Sequence, residues 1–77
     1  MKITEIIPKE NYMLYIKIDD GRVGLFDVKP YLGSEAFLPL KDRNEFECIY
    51  NGSYFVEWRC GADLSADTIY AKLQAET

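Results

Sequence analysis

Apolar and polar side chains alternate along the first third of the chain with the period of two that is typical of β-strands. The pattern predicts strands over residues 3–7, 12–18 and 22–28. In the second strand, Leu14, Ile16 and Ile18 share one face and are expected to be buried. The third strand alternates less regularly, and Gly24 is expected to mark a β-bulge that shifts its phase.

Two turn signals place these strands in hairpins. The residue pairs favoured in type I′ turns, which need positive φ at both central positions, occur as Asp20-Gly21 and Asn51-Gly52. The first turn joins the second and third strands. The second turn predicts a further hairpin that ends in a strand over residues 54–58.

Two short helices are predicted. Asp42 is the expected N-cap of a helix over residues 43–48 that buries Phe46. Ser65 is the expected N-cap of a helix over residues 66–74, because apolar positions recur there with helical spacing. A helix of this length is not stable alone, so it is expected to pack on the sheet.

Two prolines, Pro30 and Pro39, exclude a long helix in the connection between the third strand and the first helix. A turn or 3₁₀ segment is expected there, with Leu32, Phe37 and Leu40 as hydrophobic anchors.

The order of these elements predicts an α+β fold in one domain that spans residues 1–77. We expect a small antiparallel sheet, made of a three-strand meander, a short helix and a hairpin, covered by the C-terminal helix.

Charge and composition narrow the class of function. The formal net charge is −4, and the nine basic residues are scattered singly, so direct binding of nucleic acid is not expected. No apolar run approaches the roughly 20 residues of a membrane span, and no signal peptide is recognisable. A cytoplasmic protein without membrane contact is the expectation.

Catalytic chemistry is hard to find in this sequence. There is no histidine, so Ser-His-Asp and Cys-His constellations cannot form within one chain. The five glycines are isolated and form no phosphate loop. The two cysteines, Cys48 and Cys60, are too few for a zinc site without histidine and are expected to be reduced thiols. We therefore expect no enzymatic activity, no cofactor and no metal.

The acidic pairs have a structural interpretation. Asp19-Asp20 could bind a cation, but the chemistry of an Asp-Gly turn already explains both residues. Asp63 and Asp67 offer too few oxygens for a metal. Asp67 is expected to interact with the dipole of the last helix, and Asp63 to accept hydrogen bonds from backbone amides of the preceding loop.

An interaction surface is predicted on the second strand. Tyr12, Met13 and Tyr15 are expected to share the face opposite the buried one, and exposed Tyr and Met are typical of protein interfaces. Another protein or a second copy of the chain, giving a homodimer, would bind there. The alternative is that these side chains pack at the edge of the sheet.

The segment after the second hairpin resembles DUF2442, a family of proteins of unknown function. The resemblance rests on a Trp, two residues, Gly-Ala-Asp-Leu and a following helix with an Asp-Thr-Ile-Tyr run, here Trp58, Gly61, Ala62, Asp63, Leu64 and Asp67-Thr68-Ile69-Tyr70. Further matching positions are Asp20-Gly21-Arg22, Asp27, Phe37-Leu38-Pro39-Leu40 and Phe46. The Arg59-Cys60 pair departs from the family pattern, which makes this loop a variant.

The resemblance implies a small bacterial or archaeal α+β domain without an established activity. In some relatives such a domain precedes a helix-turn-helix, and relatives are often encoded beside another small protein, as in toxin–antitoxin pairs. The resemblance also implies structural roles for the motif. Trp58 would pack under the loop, Gly61 would permit the turn, Asp63 would accept hydrogen bonds from the loop amides, and Leu64 would fill the core.

Two functional hypotheses follow. The first is a protein-interaction module, such as the antitoxin-like or regulatory partner of another small protein, for which the acidic balance suits a basic partner. The second is a domain that senses a small ligand, in which the loop beside Trp58 would line a pocket.

Overall fold

The computed structural model describes residues 2–74, which form two antiparallel three-stranded sheets and two short helices. The strands are β1 (Ile3–Lys9), β2 (Met13–Ile18), β3 (Val23–Asp27), β4 (Ile49–Asn51), β5 (Phe55–Trp58) and β6 (Asp63–Ser65), and the helices are α1 (Arg43–Glu47) and α2 (Ala66–Lys72). Three 3₁₀ segments cover Glu10–Tyr12, Lys29–Tyr31 and Glu35–Lys41. The predicted α+β class is confirmed.

The first sheet is the predicted meander, in the order β1-β2-β3. Its inner face is buried, since Leu14 and Ile16 are fully covered and Phe26 lies opposite Leu14 in β3. The pairing of β2 with β3 runs without a shift, so the predicted bulge at Gly24 is wrong. The third strand looked irregular because it carries apolar side chains on both faces, and the register irregularity lies instead in β1, between Ile3 and Glu5.

Gly24 has a different reason to be glycine. The chain after α2 runs back along β3, and Leu25 and Gln74 exchange two backbone hydrogen bonds of 2.8 Å. A Cβ added to Gly24 would lie 2.5 Å from the Gln74 carbonyl oxygen and 2.7 Å from Leu73 Cγ. The absent side chain therefore permits the C-terminal segment to pair with β3.

The turn between β2 and β3 is not the predicted type I′ turn. Gly21 donates to the Ile18 carbonyl at 3.0 Å, and the Ile18 amide donates to the Arg22 carbonyl at 2.9 Å. Within the loop, only Gly21 has a positive φ, 95°. This pattern is a three-residue loop closed by a glycine bulge.

The hairpin at Asn51-Gly52 also forms, but its turn does not have the predicted positive φ at Gly52. The residue with positive φ is Ser53, at 72°, and Gly52 lies directly beneath the ring of Phe55. Ser53 is held by its amide, which donates to Asn51 Oδ1 at 2.8 Å. Gly52 is therefore required by the close packing of an aromatic ring rather than by its backbone angle.

The predicted hairpin does not extend the first sheet but belongs to a second three-stranded sheet, in the order β4-β5-β6. The hairpin of β4 and β5 is confirmed, but β6 was expected to be loop. Three residues are too few to display a period of two, and only Leu64 among them is buried. Its neighbours on the inner face of this sheet are Val56 and Trp58, both almost fully buried.

Both predicted helices form with the predicted caps. Asp42 Oδ1 accepts from the Asn44 amide at 2.9 Å, and Ser65 Oγ accepts from the Thr68 amide at 3.2 Å. Each helix is shorter than predicted. The second ends at Lys72 because the next residue is extended and leads into the pairing with β3.

An aromatic chain runs through the core between the sheets. Phe46 and Phe37 each pack against Trp58, with ring centroids 6.2 Å and 6.0 Å apart, and Tyr31 joins Phe37 to Phe26. Leu32, Phe37 and Leu40 are buried in or beside the 3₁₀ segments, so the predicted anchors are confirmed. Neither helix within residues 2–74 has the length and apolar character needed to cross a bilayer.

Candidate functional site

The motif around Trp58 is a tight hairpin between β5 and β6. The Trp58 amide donates to the Ala62 carbonyl at 2.8 Å, and the Gly61 amide donates to the Trp58 carbonyl at 2.9 Å. Gly61 has a φ of 98°, which an L side chain rarely adopts. Ala62 and Leu64 are buried beyond the turn. Gly61 thus lies in the turn and Leu64 in the core, where the family resemblance places them.

Trp58 is a core residue. It is only 1% exposed, and its indole N–H donates to the Phe46 carbonyl at 2.9 Å. A ligand cannot stack on this ring without opening the core, so the geometric basis of the ligand-sensor hypothesis is missing at this position. Two surface depressions in the described part of the chain lie away from Trp58 and its loop.

The carboxylate of Asp63 differs from its expected role. Within residues 2–74 it makes no hydrogen bond to the loop amides, and it lies exposed on the outer side of β6, directly opposite Glu57. Two like charges in that position disfavour the pairing slightly. Asp67 is exposed in the first turn of α2, where its charge suits the helix dipole.

Asp20 is a turn residue. Its Oδ1 accepts from the Arg22 amide at 2.9 Å, and its Oδ2 forms an ion pair with Arg22 Nε, also at 2.9 Å. The hydrogen bond from the Arg22 backbone is the main reason why the pKa of Asp20 lies below its ordinary value. No cluster of three metal-ligating side chains occurs among residues 2–74, and Cys48 and Cys60 are free thiols there.

Tyr12 does not belong to the predicted interaction face. It has a φ of 58° and lies outside β2, which turns its ring towards the core. The ring meets Phe46 edge-on, with centroids 5.4 Å apart, and its hydroxyl donates to the Lys41 carbonyl at 2.6 Å. The left-handed backbone explains the error, since the period of two does not extend through this residue.

The remaining predicted residues, Met13 and Tyr15, lie on the solvent side of the first sheet. The cross-strand pairing arranges this side in three rows, which together we call the outer face: Lys9, Met13 and Asp27; Ile7, Tyr15 and Leu25; Glu5, Lys17 and Val23. The middle row is apolar apart from the hydroxyl of Tyr15. Antiparallel sheets of this kind usually present polar side chains to solvent.

The outer face is accessible. Ile7 and Val23 are 38% and 39% exposed, and Met13, Tyr15 and Leu25 are half-buried. A shallow depression of about 500 Å³ lies at one end, between Lys9, Glu10, Met13 and Leu25.

Charged side chains flank the apolar middle row on both sides. One flanking row carries Lys9 and Asp27, and the other carries Glu5 and Lys17, so acids and bases balance. Asp27 pairs with Lys29 at 3.1 Å, whereas Glu5 and Lys9 form no ion pair with any described residue.

Ile7, Val23 and Leu25 were not predicted as members of this surface. The signal for the last two was present, since they alternate with Phe26 and Val28 along the third strand. Because apolar side chains occupy both faces of this strand, the pattern indicates a phase shift at Gly24 as readily as a second apolar face. Ile7 lacked a signal, because the predicted first strand was too short to establish its faces.

Comparison with known proteins adds the family and nothing more specific. No match was found among curated proteins or among solved structures. The family model described as "Protein of unknown function (DUF2442)" matches residues 3–75, which is nearly the whole chain. With its Trp58 hairpin, its meander and its two capped helices, this chain belongs to the DUF2442 family.

Proposed function

We propose that this chain is a protein-interaction module whose contact surface is the outer face of the first sheet. The observation that carries the proposal is the apolar middle row of that face, formed by Ile7, Tyr15 and Leu25. A buried core does not need these side chains, because the opposite face of the same strands already supplies it. Exposed apolar surface of this kind is typical of contact sites.

The composition of the outer face supports a protein rather than a small ligand as the occupant. Tyr and Met are enriched at protein interfaces, and an apolar centre with a charged rim is the usual anatomy of such a contact. The depression beside Met13 is open and shallow, whereas small-molecule sites are concave and enclose most of the ligand.

The antitoxin-like or regulatory role remains a proposal that rests on the family resemblance. The net charge of −4 favours a basic partner on surfaces other than the outer face, where acids and bases balance. Such a role requires only that the chain holds another protein, which is consistent with the lack of histidine.

Site-specific photo-crosslinking tests the proposal in the cells that make this protein. A photoreactive amino acid replaces Ile7 or Val23, which are exposed, and the matched control replaces Tyr50, which is 58% exposed on the second sheet. We expect a protein adduct from position 7 or 23 under conditions in which position 50 gives none. The absence of an adduct at both positions, or equal adducts at all three, would overturn the proposal.

A further inference from the structure

The outer face has a charge pattern that is complementary to itself. We propose that its occupant is a second copy of this chain, packed face to face. This inference rests on the proposed function, because it uses the same surface, but it makes a separate prediction about mass and charge pairing.

The pairing follows from the three rows. We place a second copy against the first by a half-turn about an axis that lies between the two faces and runs perpendicular to the strands, over the middle row. After this half-turn, each strand of the second copy lies over the same strand of the first copy. The two flanking rows change places, so that each lies over the other. Ile7, Tyr15 and Leu25 then pack on their own copies, so the apolar row is buried on both sides.

The same half-turn brings opposite charges together. Lys9 of one copy lies over Glu5 of the second, and the reverse pair forms on the other side of the axis. Lys17 of the second copy lies over Met13 of the first, with Lys9 on one side and Asp27 on the other, so it favours neither orientation. A half-turn about an axis parallel to the strands would instead place Lys17 over its own copy, which is repulsive, and Lys9 over Asp27, which Lys29 already engages within one copy. The charges therefore select one orientation.

Lys9 and Glu5 are available for this contact. They lie four residues apart on the same strand, about 13 Å, which is too far for an ion pair within one copy. Both are exposed, and Lys9 Nζ lies 6.0 Å from the centre of the Tyr15 ring, directed over the outer face. Asp27 is already engaged by Lys29, so the Lys9–Glu5 pair is the contact that discriminates.

The size of the face sets the strength of the dimer. Three strands of this length span about 14 Å by about 20 Å, which is about 280 Å² per face in projection. Side-chain relief adds to this area, so two faces together bury at most about 1,000 Å². Contacts of that size are at the weak end of specific interfaces. We expect a dissociation constant between about 1 μM and about 1 mM.

Charge reversal with sedimentation equilibrium tests the pairing. Lys9→Glu and Glu5→Lys are each expected to weaken self-association at least about tenfold, because like charges then face each other. An equal mixture of the two variants is expected to regain wild-type association, since each reversed side chain again meets its opposite. Lys41→Glu and Glu57→Lys carry the same changes in net charge elsewhere and are expected to leave association unchanged.

Two outcomes would overturn the inference: a wild-type chain that stays monomeric up to about 1 mM, or a mixture that fails to associate although each variant has the wild-type unfolding midpoint. The crosslinking experiment separates the two proposals. An adduct from position 7 or 23 with a different protein and none with a second copy would retain the contact surface and reject the self-pairing.

Discussion

Replacing Gly24 with alanine should detach the C-terminal segment from β3. The added Cβ would lie 2.5 Å from the Gln74 carbonyl oxygen, so either the backbone of that residue or the strand must move. Movement costs the two hydrogen bonds that Leu25 exchanges with Gln74, at about 1 kcal/mol each. Displacing Leu73, whose Cγ lies at 2.7 Å, adds about 1 kcal/mol of overpacking.

A smaller effect opposes this loss. Alanine restricts the unfolded chain more than glycine does and stabilises by about 0.5 kcal/mol where the fold accepts it. The free energy of unfolding should therefore fall by about 2–3 kcal/mol in Gly24→Ala. Urea unfolding followed by the emission of Trp58, the single tryptophan, measures this difference.

Gly33→Ala is the matched control. A Cβ at Gly33 meets no atom within 4 Å, and its φ is not in the left-handed region. This variant should be as stable as the wild type or slightly more so. Equal stability of Gly24→Ala and Gly33→Ala would refute the reasoning. So would a destabilised Gly24→Ala in which the amides of Leu25 and Gln74 keep their protection from hydrogen exchange.

Three further substitutions test the structural roles inferred for other residues. Trp58→Phe leaves the Phe46 carbonyl without its indole donor and should lower the free energy of unfolding by about 2–4 kcal/mol, measured by thermal unfolding with far-UV circular dichroism. Gly61→Ala forces an L side chain to a φ of 98° and should cost about 1–2 kcal/mol by the same measurement, and a loss no larger than that of Gly33→Ala would contradict the turn assignment. Burial raises the pKa of Tyr70 above its ordinary value of 10.0. The stability that the protonated Tyr70 hydroxyl contributes is therefore complete below pH 10.0 and is lost as the pH rises through the raised pKa. Tyr70→Phe should therefore lose less stability than the wild type between about pH 9 and pH 12, and identical pH profiles would exclude this coupling.

The elements with strong local signals could be predicted from the sequence. The meander follows from alternation, and both helix starts follow from a capping side chain before an apolar stripe. The caps at Asp42 and Ser65 are local interactions between a side chain and the next turn of backbone, so no tertiary information is needed to place them. The alternation along β2 also predicts which of its faces is buried, because a shift of one residue in the pairing register would expose Leu14 and Ile16.

The predictions that were wrong concern features that depend on contacts between residues distant in the sequence. Gly24 and Gly52 are both glycine because another part of the chain lies against them, and a local pattern cannot distinguish this from a bulge or a turn. Tyr12 looked like a strand residue because its left-handed backbone is set by the connection around it. The strand β6 exists because β5 pairs with it, since three residues carry no periodic signal of their own.

The candidate surface could be predicted only in part. Met13 and Tyr15 were found from their alternation with Leu14 and Ile16, but a surface is defined by neighbours across strands. Ile7 joins Tyr15 only through the register between β1 and β2. That register depends on where the connection between β1 and β2 begins. The sequence pattern ends the first strand at residue 7, whereas β1 continues to Lys9.

The pairing of Gln74 with Leu25 also protects the molecule against aggregation. β3 is an edge strand of the first sheet, and an exposed edge with free amides and carbonyls is a template for strand addition by other chains. Gln74 occupies the donor and the acceptor of Leu25, and at the other edge the Ile3 amide is satisfied by the Ser53 carbonyl at 2.8 Å. Both edges of the sheet are thus partly blocked by the chain itself, which directs association towards the faces and away from open-ended fibres.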